Sequence, residues 1–334
     1  MKPFFLITLL GLASLSASAA PEFSNPITTD FFTADPAPFI GGDGKLWLYT
    51  SHDQPDADIF NMVDYCAFST ENMHDWEFHG YVLHTNDVPW VDGYFWAPAG
   101  LYRDGTYYLY FPIGGLGKTG VVTSKSPTGP WTDPIGGPMD TATMDPYVFT
   151  DDDGQAYMVG SIPKQQLEPQ PGCLRTPFVV KMRDDLLGYE GEKRLLEPHE
   201  YEKHVEAAWL HKHNGKYYYT HKGKGGLLYS MSDSPMGPYK NMGYFMPGKY
   251  LNHQGIIKYK NEWYIFFQTY PVSNYLKRRN VSLTRLEYNS DGSIKTVEEP
   301  VYDPVKVQNG KDKYGHIPQN KKKRWKNKKQ EPKK

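Results

Sequence analysis

Three carboxylates, one tryptophan and one histidine occupy the same place relative to five short turns along the chain. Each lies nine residues before the second residue of its turn, and the five are Asp35, Trp96, Asp145, Glu206 and His253. Carboxylates that face each other across a polar cleft can hydrolyse a glycosidic bond, because one gives a proton to the leaving oxygen while another takes a proton from water. Repulsion and burial would separate their pKa values, and that separation assigns the acid and the base.

Each of these residues precedes a tight turn that leads into an aromatic strand. The turns are Asp43-Gly44, Asp104-Gly105, Asp153-Gly154, Asn214-Gly215 and Asn261-Glu262. Their second residues are 61, 49, 61 and 47 residues apart, which is near the length of a propeller blade of four antiparallel strands. No segment shows a long helical periodicity. The pattern predicts an all-β fold, a five-bladed β-propeller, in which the five side chains converge on one axis.

Five motifs on this repeat resemble those of glycoside hydrolase family 43. They are Ala34-Asp35-Pro36, Trp96-Ala97-Pro98, Met144-Asp145-Pro146-Tyr147, Val205-Glu206-Ala207 and Asn252-His253-Gln254-Gly255, and the resemblance covers about residues 25–301. The resemblance implies a five-bladed propeller that hydrolyses with inversion at the anomeric centre. It also implies Asp35 as general base, Glu206 as general acid, and Asp145 as the residue that raises the acid's pKa and orients it.

The same resemblance suggests residues that contact the sugar. Trp96, with Phe95 beside it, matches a motif that forms the floor of the sugar subsite, although a core aromatic is the alternative. His52 and Asp53 follow the first tyrosine strand and are expected to line the same pocket. Arg279 matches an arginine that reaches a sugar hydroxyl, and a surface strand arginine is its alternative.

His253 resembles an axial histidine that touches a calcium ion in many family members, directly or through water. A hydrogen-bonded core histidine is the alternative reading. The resemblance implies no required cofactor and allows a structural calcium ion at the propeller axis, whose ligands would be mainly oxygen atoms and water.

The two ends of the chain differ in composition from the middle. Residues 1–19 contain one lysine, an apolar run and small residues up to Ala17-Ser18-Ala19, which predicts a cleaved signal peptide. Residues 20–310 form the predicted catalytic propeller. Residues 311–334 form a predicted basic, disordered tail, with nine Lys or Arg between residues 321 and 334. We therefore expect a secreted or periplasmic protein without a membrane span.

Composition limits the partners. A formal net charge of −1 is unlike that of nucleic-acid-binding proteins, and a 15% aromatic content suits strands and sugar-facing surfaces. We expect a monomer whose partner is a plant cell-wall polysaccharide or oligosaccharide. Cys66 and Cys173 are the two cysteines, and their pairing is left open.

The sequence therefore predicts a secreted inverting glycoside hydrolase that acts on plant hemicellulose, with α-L-arabinofuranosidase action on arabinoxylan as the main hypothesis. A β-xylosidase or an endo-arabinanase of the same family is the nearest alternative, because loops set the depth of the pocket. A propeller that binds sugar without catalysis is the alternative from another class.

Overall fold

The computed structural model describes residues 22–248 and 252–314. Within those residues, eighteen β-strands form five antiparallel sheets that follow one another along the chain. The first sheet contains β1 (Phe32–Ile40), β2 (Leu46–Asp53), β3 (Asp64–Thr70) and β4 (Glu77–His84). The second contains β5 (Ala99–Arg103), β6 (Thr106–Pro112) and β7 (Thr119–Ser124). A short 3₁₀ helix, Thr85–Asp87, lies between these two sheets.

The third sheet contains β8 (Met144–Thr150), β9 (Ala156–Pro163), β10 (Arg175–Lys181) and β11 (Arg194–Leu195). The fourth contains β12 (His204–His213), β13 (Lys216–Gly223), β14 (Gly226–Ser232) and β15 (Lys240–Pro247). The fifth contains β16 (Asn252–Tyr259), β17 (Glu262–Thr269) and β18 (Asn280–Arg285). The predicted all-β five-bladed propeller is confirmed. Two of its sheets have three paired strands instead of the expected four.

The propeller ring closes where the N-terminal segment joins the last blade. The Ile27 N–H donates to the carbonyl of Val281 at 2.9 Å, and the Thr33 N–H donates to the carbonyl of Arg279 at 2.9 Å. The Asn25 side chain adds a bond from its Nδ2 to the carbonyl of Leu283 at 2.8 Å. Residues 25–33 therefore cover the outer edge of β18, which would otherwise expose unpaired backbone groups.

Apolar packing joins each blade to the next. One buried cluster lies at each junction and has members from both blades, for example Tyr49 and Phe111, Tyr110 and Phe178, Val159 and Tyr219, Trp209 and Phe267, and Leu48 and Phe266. Large aromatic side chains contribute much of this buried apolar area, which is the main stabilising term in folding. The aromatic strands noticed in the sequence thus form the walls between blades.

The five predicted turns are of two kinds. Three are two-residue turns with positive φ at both central residues, namely Asp104-Gly105, Asn214-Gly215 and Lys260-Asn261. The sequence prediction placed the last of these one residue too late, at Asn261-Glu262. The loops around Gly44 and Gly154 span five residues each, 41–45 and 151–155.

One α-helix, α1 (Pro304–Tyr314), was not predicted and crosses the expected boundary between propeller and tail. Val307 and Gly310 are its buried residues, and the Tyr314 ring lies 4.6 Å from that of Phe32. Two buried residues give little helical periodicity in the sequence, and this is why the helix was not predicted. A helix this short depends on its tertiary contacts for stability. Residues 311–314 therefore belong to the folded body.

The predicted signal peptide, residues 1–19, and the rest of the predicted tail, residues 315–334, lie outside the described residues. In the part of the chain that the structure does describe, no helix has the length and apolar character needed to cross a membrane. Cys66 and Cys173 are both free.

Candidate active site

Four of the five innermost strands carry a β-bulge at the same depth. At each bulge one residue has a left-handed backbone: Asp35 (φ 52°), Asp145 (φ 50°), Ala207 (φ 61°) and His253 (φ 49°). The strand registers shift at the same points. A bulge adds one unpaired residue and redirects its side chain, which is how bulges build many active sites. The four inner strands therefore each hold one strained residue at the same depth.

Glu206 lies one residue before the left-handed position that Asp35 and Asp145 occupy. The cross-strand pairs just before each bulge are Ala34–Ser51, Met144–Ser161, Glu206–Lys222 and Asn252–Gln268. The residue equivalent to Asp35 in the fourth blade is therefore Ala207. The nine-residue spacing in the sequence did not show this one-residue shift. The turn after β12 has two residues, whereas the loops after β1 and β8 have five, so equal spacing from the turn does not mean an equal place in the strand.

Asp35 is buried and held by donors from three other strands or loops. The Ser51 hydroxyl donates to its Oδ2 at 2.7 Å, and Arg279 Nη1 donates to its Oδ1 at 3.0 Å. His253 Nδ1 lies 3.2 Å from the same Oδ1. The backbone N–H of Asp35 donates to Gln268 Oε1 at 2.9 Å. The carboxylate therefore has a fixed orientation toward the axis.

Asp145 and Glu206 form a second group of charges with Arg175. Arg175 Nη1 donates to Glu206 Oε2 at 2.9 Å and to the carbonyl of Val205 at 2.8 Å. Asp145 Oδ2 accepts the N–H of Ala207 at 3.1 Å. Burial raises the pKa of Asp145, and the carboxylate of Glu206 raises it further, while His253 and Arg175 act in the opposite direction. The two carboxylates thus interact across adjacent blades.

These groups surround one pocket of about 240 Å³. Its lining residues are Asp35, Phe60, Met62, Trp96, Ala97, Asp145, Leu174, Arg175, Glu206, His253 and Arg279. The half-buried Trp96 is oriented by its indole N–H, which donates to the carbonyl of Phe60 at 3.3 Å. A pocket with three carboxylates and an aromatic wall can bind a sugar and exchange protons with it.

Of the nine site residues predicted from the sequence, six line this pocket. The other three, Phe95, His52 and Asp53, do not. Phe95 has no exposed surface and stacks on Tyr65 at 4.9 Å, so it cannot contact a sugar. His52 is buried within the first blade, where it pairs with Asp64 at 2.7 Å and stacks on Tyr81. Phe95 forms an isolated antiparallel bridge with Ile113 before β5 and its ring packs in the core, whereas Trp96, the next residue, lies outside any strand and lines the pocket.

Asp53 contributes to the site indirectly, through Arg279. The guanidinium donates to Asp53 Oδ2 and Oδ1 at 2.8 Å each, and the backbone N–H of Arg279 donates to Oδ2. Burial alone would lower the pKa of Arg279, but the carboxylates of Asp35 and Asp53 raise it above its usual value. Arg279 therefore remains a cation between two buried carboxylates. The surface-arginine alternative is excluded, because Arg279 is buried.

Sequence reasoning missed a second ring of polar residues on the strands behind the site. Ser51, Ser161, Lys222 and Gln268 hold equivalent places across from the four bulges. Counting across each hairpin from the inner residue would have found them. Arg175 was also missed, and no local pattern distinguishes it, since it enters the site from the strand after a loop of eleven residues.

The acidic residues do not form a metal site of their own. Across residues 22–248 and 252–314, no group of three or more His, Cys, Asp or Glu side chains is arranged to hold a metal ion. Calcium takes six to eight oxygen ligands. An ion beside His253 would therefore take most of its ligands from water, and no chemical step is assigned to one.

A five-bladed propeller with three carboxylates in an axial pocket defines a class of sugar-cleaving enzymes, and comparison with known proteins gives the family. The model of glycosyl hydrolases family 43 matches residues 60–294, which include Asp145 and Glu206 and begin after Asp35. The chain belongs to this family and is an O-glycosyl hydrolase.

Three relatives illustrate the similarity. The chain is 33% identical to xylosidase/arabinosidase 43A of Humicola insolens, over 82% of this chain and 99% of that protein. It is 30% identical to an arabinoxylan arabinofuranohydrolase of Paenibacillus polymyxa, over 83% of this chain and 52% of that protein. A crystal structure of a β-xylosidase/α-arabinofuranosidase from a compost microbial metagenome, in complex with xylotriose and calcium-free, has a TM-score of 0.74 at 28% identity, covering 84% of this chain and 98% of that one.

Proposed function

We propose that this chain is an inverting α-L-arabinofuranosidase that releases arabinose from arabinoxylan. The observation that carries the proposal is the convergence of Asp35, Asp145 and Glu206 on one small pocket with Trp96 on its wall. Similarity to arabinoxylan arabinofuranohydrolases of Paenibacillus polymyxa and Bacillus subtilis supports the choice of sugar. A pocket of this size suits one terminal sugar residue, which favours removal of branches over cleavage within a chain.

In the proposed mechanism, Glu206 gives its proton to the glycosidic oxygen as the bond from that oxygen to the anomeric carbon breaks. Asp35 takes a proton from a water molecule whose oxygen bonds to the anomeric carbon from the opposite face. The released sugar then has the inverted configuration. All the partners of the Asp35 carboxylate oxygens are donors or a histidine, so these oxygens can also accept from a water molecule.

Asp145 has the role of modulator in this proposal. It is buried beside the acid and accepts the N–H of Ala207, the residue that follows Glu206. Its charge opposes loss of the proton from Glu206 and its hydrogen bond holds the backbone on which Glu206 is carried. Arg175, bound to Glu206 Oε2, orients the side chain.

The test is a comparison of nitrophenyl α-L-arabinofuranoside, nitrophenyl β-D-xylopyranoside and arabinoxylan as substrates of the purified protein. We expect faster turnover of the arabinofuranoside and free arabinose as the main product from arabinoxylan. Proton NMR of the first-formed sugar should show inversion, and retention would rule out Asp35 as the base to a water molecule.

β-Xylosidase action is the second candidate. The structural relative described with xylotriose and a β-xylosidase of Xylanibacter ruminicola, 31% identical to this chain, favour it. Release of xylose from xylo-oligosaccharides, with little arabinose from arabinoxylan, would establish this candidate in place of the first. Release of internal fragments from arabinan would instead indicate an endo-arabinanase.

Export, the monomeric state and the axial calcium ion remain parts of the proposal. Support for export comes from the composition of residues 1–19. N-terminal sequencing of the protein recovered from culture medium or periplasm tests it, and an intact Met1 would contradict it. Elemental analysis of the purified protein, with and without chelator, tests for calcium, and light scattering gives the oligomeric state.

A further inference from the structure

Phe60, a residue of the pocket wall, contacts two cations, Lys277 and Arg279. The Lys277 ammonium lies 3.0 Å from the centre of the Phe60 ring, and the guanidinium carbon of Arg279 lies 4.8 Å from the same centre. Phe60 lines the pocket and is half-buried. Cations bind the faces of aromatic rings, so Phe60 holds Lys277 at the edge of the site.

The two arginines of the pocket are balanced by carboxylates, but Lys277 is not. Arg279 pairs with Asp35 and Asp53, and Arg175 pairs with Glu206. Among the described residues, no carboxylate forms an ion pair with Lys277, whose only assigned partner is the Phe60 ring. Lys277 therefore places a positive charge beside the wall residue Phe60, and no carboxylate of the described residues forms an ion pair with it.

Lys277 lies at the edge of the pocket, because it contacts the lining residue Phe60 and follows the exposed Leu276. The proposed pocket holds one terminal sugar, so the rest of the polysaccharide, which contains the leaving group, lies at its edge. Two exposed leucines lie near this place. Leu276 precedes Lys277 in the chain and is 46% exposed, and Leu174 lines the pocket and is 40% exposed. Apolar surface of this kind can pack against the C–H face of a neighbouring sugar.

We propose that Phe60 and Lys277 form a subsite for the leaving group, in which Lys277 binds the carboxylate of an acidic sugar carried by the polysaccharide. The subsite gives a preference for hemicellulose that carries uronic acid branches close to the bond that is cut. This inference rests on the proposed function, because it takes the pocket as the site of one terminal sugar whose leaving group lies at the edge.

The charge of Lys277 defines a pH window for the preference. Burial and the nearby Arg279 lower the pKa of Lys277 to about 8, against the opposing effect of Asp53 and Glu206. Lysine is charged below its pKa, so the ammonium is present at neutral and acidic pH and is lost as pH rises through about 8. The preference should fade over the same range, and also with rising ionic strength.

The test compares two arabinoxylo-oligosaccharides that differ by one glucuronic acid branch on the xylose next to the arabinosylated one. We expect the wild-type protein to show a higher kcat/KM on the acidic substrate. Lys277→Met should lower kcat/KM for the acidic substrate by roughly fivefold. The same variant should change kcat/KM for the neutral substrate and for nitrophenyl arabinofuranoside by less than about twofold.

Lys277→Arg is the matched control, because it keeps the charge and should retain most of the preference. Equal losses on both oligosaccharides would show that Lys277 binds hydroxyl groups and would overturn the carboxylate subsite, as would no loss on either. Absence of turnover of nitrophenyl arabinofuranoside by the wild-type protein would instead refute the proposed function. If the protein releases xylose, the same pair of branches on xylo-oligosaccharides serves for the comparison.

Discussion

The bulges of β1 and β12 have the same backbone shape but hold their carboxylates differently. In β1 the left-handed residue is Asp35 itself, whose side chain is 5% exposed and bound by Ser51 and Arg279. In β12 the left-handed residue is Ala207, and the side chain of Glu206 before it is 22% exposed. One fold device thus presents a buried carboxylate in one blade and a more accessible carboxylate in another. A base to water benefits from the first, and an acid that must reach a leaving oxygen benefits from the second.

The largest expected contrast is catalytic. Asp35→Asn should lower kcat by about 1,000- to 10,000-fold on every substrate, because a base is needed whatever leaves. Glu206→Gln should lower kcat by about 100-fold or more on oligosaccharides, because their leaving groups need a proton. It should lower kcat much less on a nitrophenyl arabinofuranoside, since nitrophenolate leaves without protonation. Steady-state kinetics on both kinds of substrate measure the difference.

The control for this pair is Glu202→Gln, at an exposed carboxylate that pairs with Lys203 near the start of β12. It should behave as wild type. If Glu206→Gln slowed both kinds of substrate equally, the division of roles between the two bulges would not hold.

The next contrast is in stability, and it concerns the two arginines. Arg279→Met would remove the ion pair of the buried Asp53 and one of the partners of the buried Asp35, which should lower the free energy of unfolding by about 3–5 kcal/mol. Arg175→Met should cost about 1–2 kcal/mol, because Glu206 has more access to water. Denaturant titrations of both variants, with the exposed Arg183→Met as control, give the comparison. Equal losses would contradict the view that the β1 carboxylate is the more deeply buried of the two.

A third contrast is between Ser51 and Lys222, which hold equivalent places behind the two bulges. The Ser51 hydroxyl donates to Asp35, whereas the buried Lys222 ammonium has no hydrogen-bond partner in the described part of the chain. Burial lowers the pKa of Lys222 to about 8 from 10.5, against the opposing effect of Glu206, which corresponds to about 3 kcal/mol of destabilisation at neutral pH. Lys222→Met should therefore raise the free energy of unfolding at pH 7 by up to about 3 kcal/mol.

The pH dependence of that gain has a definite sign. Below about pH 8 the lysine is charged in both states, so the full cost is present and the substitution gives its largest gain. Between about pH 8 and 10.5 the folded lysine is neutral while the unfolded one still binds a proton, so the gain shrinks to nothing. Urea titrations at pH 7 and pH 10 measure it, with exposed Lys240→Met as control. A gain that does not depend on pH would show that packing, and not the buried charge, is responsible.

The smallest contrast is between two adjacent alanines of the β12 bulge. Ala207 has φ 61°, which costs an L-residue about 1–2 kcal/mol, while Ala208 has no such strain. Ala207→Gly should therefore be neutral or stabilising, and Ala208→Gly should destabilise by about 0.5–1 kcal/mol. Both are buried, so thermal unfolding of the pair isolates the backbone effect. Equal losses in the two variants would mean that the bulge is not strained at Ala207.

Much of this architecture could be predicted because its signals are local. The turn and strand pattern around Asn214-Gly215 depends on neighbouring residues, and five copies of it indicated the five blades. Phe95 and Trp96 lie before β5, so no strand alternation in the sequence indicated that only the tryptophan lines the pocket. Helix α1 escaped prediction because only Val307 and Gly310 are buried in it.

By itself, the sequence determined that the protein is a repeated all-β fold with Asp35, Asp145 and Glu206 near its axis, since hairpin turns and strand periods are set by short-range sterics. Only the tertiary structure decided the register of Glu206, the bond of Asp53 to Arg279 and the contact of Arg175 with Glu206. It also decided the burial of Lys222 and the contact of Lys277 with Phe60. These features depend on loop lengths, bulges and contacts between blades far apart in the chain. Hydrogen bonds and burial depend on which residues are close in space, and the order of residues along the chain does not show which residues those are.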